Sequence, residues 1–284
     1  MTELLAALTD PDLPFLRYGL LVGLLSSISF GIIGTFVVVR RISYLAGAIS
    51  HCILAGIGLG LYLQTAAGIS WFTPMHGAII VALLSAVILA QVSRHAGQRE
   101  DSIIGALWAG GMSLGYLFIA ATPGYFDPMS YLFGNILLIS RQDIYFVAGL
   151  DIVILAVVGI FYNKLLALCF DEEYARLRGV RTQHLHLLLL CLTALTIVLL
   201  IRIVGIIMVI ALLTLPAAIA GSFAASIRQM MLLATAVCAV CITVGLGASF
   251  YLNLPSGSVI ILLATGSYLF SFGFSSSACG KILF

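Results

Sequence analysis

Charge is what this sequence has least of. Its 284 residues include 13 Lys or Arg and 11 Asp or Glu, 8% in all, where a soluble domain carries about 25%. That shortage excludes an ordinary soluble fold. The net charge of +2 is too small for a nucleic-acid surface, and the basic residues are scattered among apolar runs. No polar stretch is long enough for an additional soluble domain. Cysteine is sparse too. Cys52, Cys169, Cys191, Cys238, Cys241 and Cys279 show neither metal-finger nor disulfide spacing; most lie inside apolar runs, where a thiol is a small packing residue. Catalytic machinery is missing as well. No base stands beside a nucleophile, and the acids fall in loops. No phosphate-cradling Gly-x-x-x-x-Gly-Lys-Ser/Thr occurs: Gly280-Lys281 is followed by Ile282, and Gly273 is at the wrong spacing. The chain is therefore expected not to be an enzyme, and any ATP-driven process needs its ATPase on another chain. Met1-Thr2-Glu3-Leu4 lacks the basic start of a secretory signal, which leaves the first hydrophobic span to direct insertion.

What is abundant is hydrophobicity, 62% of residues. A membrane span needs about 20 apolar residues. The first such run is 18–39, stopped by Arg40 and Arg41. The uncharged run 42–93 is too long for one span and breaks around 64–74, where Gly68, Ser70, Trp71 and Pro74 supply turn chemistry and an interfacial aromatic. Further spans are expected at 102–122, 144–162, 185–201, 203–223, 230–250 and 258–274, the last two separated by Asn253, Pro255 and Gly257. The expectation is an all-α integral membrane protein, one permease-like domain over 1–284 with about nine spans, eight to ten. Residues 1–17, broken by Asp10, Pro11, Asp12 and Pro14, read as a short interfacial segment. The apolar piece 131–139, after the loop 123–128, is too short to span and reads as re-entrant or interfacial. Gly19/Gly23, Gly56/Gly60 and Gly111/Gly115 have the spacing that lets membrane helices pack closely.

One stretch interrupts the apolar pattern. Residues 171–181 hold six charged side chains: Asp171, Glu172, Glu173, Arg176, Arg178 and Arg181. Such an island must sit in water. If it is cytoplasmic, alternation of the spans puts ten basic residues inside and leaves only Arg17, Arg141 and Arg202 outside. The N-terminus is then outside and the C-terminus inside. The island reads either as a solvated loop or as a short helix, about 170–182, that docks on a partner ATPase. Its acids precede its basic residues, which suits a helix dipole. Gly179 is placed to end the helix, and Tyr174, Leu177 and Val180 give one apolar stripe.

Few polar residues lie deep in the spans. His51 is ten residues past Arg41, about 15 Å along a helix, and an ionisable group at that depth is a functional candidate. Imidazole takes zinc, iron or manganese, and a transport site must also release its ion; the alternative is a neutral histidine bonded to a backbone carbonyl. Asp151, about 12 Å into its span, is a second candidate. His76 lies near the outer surface, as an interfacial residue or a point of ion arrival. His184 and His186 read as solvated cap residues. Asp127 and Asp143 read as outer-side loop acids, solvated or placed to attract a cation or docking partner.

Seven stretches, in order, resemble one family, the membrane permeases of bacterial ABC importers for zinc, manganese and iron. They are Val39-Arg40-Arg41-Ile42-Ser43-Tyr44-Leu45, Ile49-Ser50-His51, Glu100-Asp101-Ser102-Ile103-Ile104-Gly105, Ser130-Tyr131-Leu132-Phe133-Gly134-Asn135-Ile136-Leu137, Phe170-Asp171-Glu172-Glu173 with Arg178-Gly179-Val180, Val204 to Val209 with Leu215-Pro216-Ala217-Ala218, and Leu254-Pro255-Ser256-Gly257. The resemblance implies a multi-pass protein of the bacterial inner membrane that works as a homodimer, with cytoplasmic ABC ATPase subunits and an extracytoplasmic metal-binding protein, and with no permanently bound cofactor. The cargo is a divalent metal ion. It makes Asp171, Glu172, Glu173, Arg178 and Gly179 part of the coupling helix and puts His51 on the metal path. The family pattern has an acid four residues before this histidine, whereas here the position is Gly47; residue 55 is Ala where proline is frequent. Either Cys52, Asp127 or Asp151 replaces that acid, or His51 of two protomers acts without it. The rival readings are a permease for an iron-siderophore or cobalamin chelate, a secondary metal transporter, for which no inverted repeat is found, and a structural membrane protein.

Overall fold

Proline opens two of the helices instead of ending them. In this computed structural model, which describes residues 14–95, 100–124 and 139–278, Pro14 is the first residue of α1 (Pro14–Val39) and Pro74 the first of α3 (Pro74–His95). A proline costs nothing there, because the first backbone N–H of a helix has no partner in any case. Between them lies α2 (Ser43–Thr65). The rest are α4 (Glu100–Ala121), α5 (Arg141–Phe170), α6 (Glu172–Leu177), α7 (Thr182–Val204), α8 (Ile206–Gly221), α9 (Ile227–Leu252) and α10 (Ser256–Ala278). Every regular element among the described residues is a helix, as the composition requires.

Eight of these helices are long and apolar enough to cross a membrane. The exceptions are the six-residue α6 and α8. The sequence predicts a span over 203–223, but α8 has 16 residues, about 24 Å against a hydrocarbon core of about 30 Å. Gly205, at φ 84°, breaks the chain from α7, and Pro216 sits inside the helix. The expected interfacial segment is corrected in part, since residues 14–17 belong to α1. The re-entrant piece at 131–138, the stretch 130–137, Asp127, Cys279 and Lys281 lie outside the described residues. The expected breaks elsewhere are present. Gly68 has φ 71° between α2 and α3, and Asn253, at φ 52°, ends α9.

The chain sorts into two compact units. The first holds α1, the beginning of α5, the end of α7 and α8 to α10. Within it α1 packs on α8 and α9, and α8, α9 and α10 pack on one another. The second unit holds α2 to α4, the end of α5, α6 and most of α7. Here α2 packs against both α3 and α4, and the glycine spacings explain how. A Cβ added at Gly111 would lie 2.7 Å from Cys52 Cα, and one at Gly115 would lie 2.5 Å from the Leu54 carbonyl carbon. The backbones of α2 and α4 are therefore in contact, so dispersion replaces the hydrophobic drive that lipid cannot give.

Many hydroxyls within the spans are satisfied by their own helices. Ser50 donates to Ala46 O at 2.9 Å, Thr193 to Leu189 O at 2.8 Å and Thr196 to Leu192 O at 2.8 Å. This is the local back-bonding open to Ser and Thr in a helix.

Candidate metal pathway and coupling segment

Against that background, two side chains deep in the spans, His51 and Asp151, each carry a buried atom without a hydrogen-bond partner. One is Nδ1 of His51. His51 is on α2, in the second unit, half-buried. Its ring is stacked on the indole of Trp108 from α4, with centroids 4.3 Å apart and planes 22° apart. Tyr44 extends the aromatic group, 6.3 Å from Trp108. Gly47 lies directly beside this stack: an ideal Cβ at residue 47 would fall 3.4 Å from the six-membered ring of Trp108, in ordinary van der Waals contact. His51 is thus held against a flat apolar wall and keeps one nitrogen uncommitted.

Cys52 is turned elsewhere, as its neighbouring helical position requires. Its thiol is buried at the α2–α4 seam and donates to Leu107 O at 3.2 Å. The second outstanding atom is Oδ2 of Asp151, which also lacks a hydrogen-bond partner. Asp151 belongs to α5 in the first unit and is buried, and the Ser29 hydroxyl of α1 donates to its Oδ1. Among the described residues, no three His, Cys, Asp or Glu side chains gather into a group able to hold a metal.

The other candidates have structural duties. His76 Nδ1 accepts from Thr73 N–H at 3.2 Å and lies 2.9 Å from its hydroxyl, closing the first turn of α3. Asp143 is not a solvated loop acid. It is buried in the first turn of α5, and Oδ2 accepts from Ser140 N–H at 2.9 Å and the Ser140 hydroxyl at 2.8 Å. His184 is exposed as expected, but His186, three residues from Leu189 in the buried face of α7, is itself buried. A helix places residues 186, 189, 190 and 193 on one side, and that side faces inward.

The charged island is a helix with both ends closed. Asp171 caps α6, its carboxylate accepting from Tyr174 N–H at 2.8 Å, an arrangement worth about 1 kcal/mol. At the other end Gly179 takes φ 79°, its N–H donates to Arg176 O, and Val180 N–H donates to Ala175 O, both at 3.0 Å. This is the two-bond Schellman closure. The expected stripe is present as an exposed one: Tyr174 is 51% and Leu177 85% exposed, while only Ala175 of α6 is buried. Glu173 lies exposed. Arg178 donates to the Tyr174 hydroxyl through Nε at 2.9 Å and Nη2 at 2.6 Å.

The residue that fixes α6 in place was not among those expected from the sequence. Arg40, in the turn between α1 and α2, donates through Nη1 to Leu168 O at 2.8 Å and through Nη2 to Glu172 Oε2 at 2.7 Å. It therefore ties the end of α5 and the start of α6 to the foot of α2. Its sequence signals were its place at the end of an apolar run and in the family-like stretch 39–45, neither of which names a partner.

The family model described as the ABC 3 transport family matches residues 12–275. This chain belongs to that family. It is 39% identical over 259 residues to a probable metal transport system membrane protein of Chlamydia trachomatis, covering 91% of this chain and 88% of that one. It is 32% identical over 261 residues to the manganese import system permease protein ScaB of Streptococcus gordonii, covering 92% and 91%. A chain of the solved structure of PsaBC from Streptococcus pneumoniae in complex with Fab superposes with a TM-score of 0.83 at 31% identity, over 95% of both chains. As a member of this family with eight apolar helices of spanning length, the chain is a multi-pass membrane protein.

Proposed function

We propose that the chain is the permease subunit of an ATP-driven ABC importer for a divalent transition metal, in the bacterial inner membrane. Two copies form the pathway. An extracytoplasmic metal-binding protein delivers the ion, and separate cytoplasmic ATPase subunits bind α6 and hydrolyse the ATP. The observation that carries this reading is the family match along nearly the whole chain, with relatives whose names specify metal and manganese transport. Manganese is the first metal to test, with zinc and iron beside it.

The geometry supports a division of labour. His51 is the transient ligand, its ring orientation set by Trp108 and one nitrogen uncommitted. The capped, exposed α6 offers Tyr174 and Leu177 to an apolar groove on the ATPase. Asp171 and Gly179 maintain its ends, Glu172 is held by Arg40, Arg178 braces Tyr174, and Glu173 presents charge to the partner. Transport follows if binding and hydrolysis of ATP change the relative affinity of the outward and inward states for the ion.

The deciding experiment is metal accumulation in membrane vesicles holding this chain, its ATPase and its binding protein, with manganese, zinc and iron in parallel, with and without ATP. ATP-dependent uptake of one metal, lost in His51→Ala with the complex still assembled, is the expected result. Equal uptake without ATP, or unchanged uptake in His51→Ala, would overturn the reading or the role of His51 respectively.

A further inference from the structure

The charges of the island are sorted in space. Two of its three acids are engaged within the fold: Asp171 caps α6, and Glu172 accepts from Arg40. Its basic half opens elsewhere. Arg178 and Arg181 line a hollow of about 510 Å³ together with Lys164 and His184, above an apolar floor that includes Phe161 and Leu185, and no Asp or Glu is among the lining residues. The stack of Arg178 on Tyr174, 5.2 Å from the ring centre, holds that guanidinium at the rim.

Polar residues interrupt the apolar pattern on both helices that frame the hollow. On α5 Tyr162, Asn163 and Lys164 stand between the run ending at Phe161 and a last apolar segment, 165–170, whose Leu165 and Leu168 are buried in the fold. On α7 Gln183, His184 and His186 precede the apolar run that starts at Leu187. A tyrosine at such a transition marks the membrane–water interface. The end of α5 beyond Lys164 is six residues, about 9 Å, which places the hollow at headgroup depth.

We propose that this hollow binds an anionic phospholipid, its phosphate among Lys164, Arg178 and Arg181 and the start of an acyl chain along Phe161 and Leu185. Basic pockets between membrane helices on the cytoplasmic side take anionic headgroups, each Lys or Arg adding about fivefold in affinity. A free phosphate satisfies the charges and leaves the apolar floor bare, whereas a phospholipid uses both. The bound lipid sits against Gly179 and so braces the turn that ends α6.

The test uses the full-length chain in detergent, with phosphatidylglycerol or phosphatidylcholine added at equal concentration. The readouts are lipid retention by native mass spectrometry and the melting temperature. Phosphatidylglycerol is expected to be retained and to raise the melting temperature, and phosphatidylcholine to do neither. Lys164→Gln with Arg181→Gln should weaken retention by about 25-fold without lowering the melting temperature in phosphatidylcholine, while Arg228→Gln, in the first turn of α9, should retain lipid as the unaltered chain does. Three results overturn the proposal: equal retention of the two lipids, unchanged retention in the double variant, or full reproduction of the stabilisation by inorganic phosphate. Displacement of the lipid by the bound ATPase would also overturn it, because the hollow would then be a protein contact.

Discussion

Among the described residues, Asp151 and His51 both lie deep in the spans, and their surroundings differ. Asp151 is buried and shares a hydrogen bond with Ser29, a short polar residue from a helix in its own unit. His51 is half-buried, lies against an indole face and keeps a buried Nδ1 without a hydrogen-bond partner. Depth made both residues candidates for the metal path; what distinguishes them is the neighbour, a hydroxyl that bonds the carboxylate against an aromatic face that leaves part of the imidazole exposed.

The comparison can be broken by substitution. The largest effect is expected from His51→Ala: ATP-dependent uptake falls to the level seen without ATP, while the chain still co-purifies with its ATPase. Next is Ser29→Ala, which removes the hydroxyl that donates to Oδ1 of Asp151. It should lower stability by about 1–3 kcal/mol, read as a lower melting temperature, with uptake per folded molecule little changed. If Ser29→Ala instead abolishes uptake at normal stability, Asp151 belongs to the pathway and the contrast fails. Trp108→Ala removes a stack worth about 1 kcal/mol, so uptake should fall about fivefold at subsaturating metal, and Trp108→Phe should recover most of it. The smallest effect is expected from Cys52→Ser, which keeps a donor for Leu107 O; uptake close to that of the unaltered chain would confine Cys52 to the α2–α4 seam, and loss of uptake would return it to the ligand set.

Much of this architecture could be read in the sequence because membrane helices announce themselves by length. The double arginine ends α1, Gly68 marks the turn before α3, and Gly179 ends α6 where its lack of a side chain predicts. The failures have local causes. The span expected at 203–223 is a 16-residue helix because Gly205, at φ 84°, breaks the chain from α7 three residues after Arg202, and the helix ends at Gly221 before the serines at 222 and 226. His186 and Asp143 were expected in water because they stand near charged loops, yet one falls on the inward side of α7 and the other closes a helix turn. The stack of Trp108 on His51 and the grip of Arg40 on Glu172 bring together residues 57 and 132 positions apart. No local pattern encodes such pairings. Gly47 was readable as a departure from the family pattern, but its physical correlate, an indole beside it, required the helices to be packed.

Arg40 has a mechanical meaning beyond its two hydrogen bonds. An ion pair of this exposure contributes little to stability, on the order of 1 kcal/mol. Its importance is positional. The same guanidinium grips the last turn of α5 and the first residue of α6, and its backbone leads through Arg41, at φ 57°, into α2. Whatever pushes on α6 must either tear both bonds or drag the foot of α2 along with it. Under the proposed coupling, a push on the island would reach the histidine helix through this one guanidinium, a point of entry that replacing Arg40 would remove.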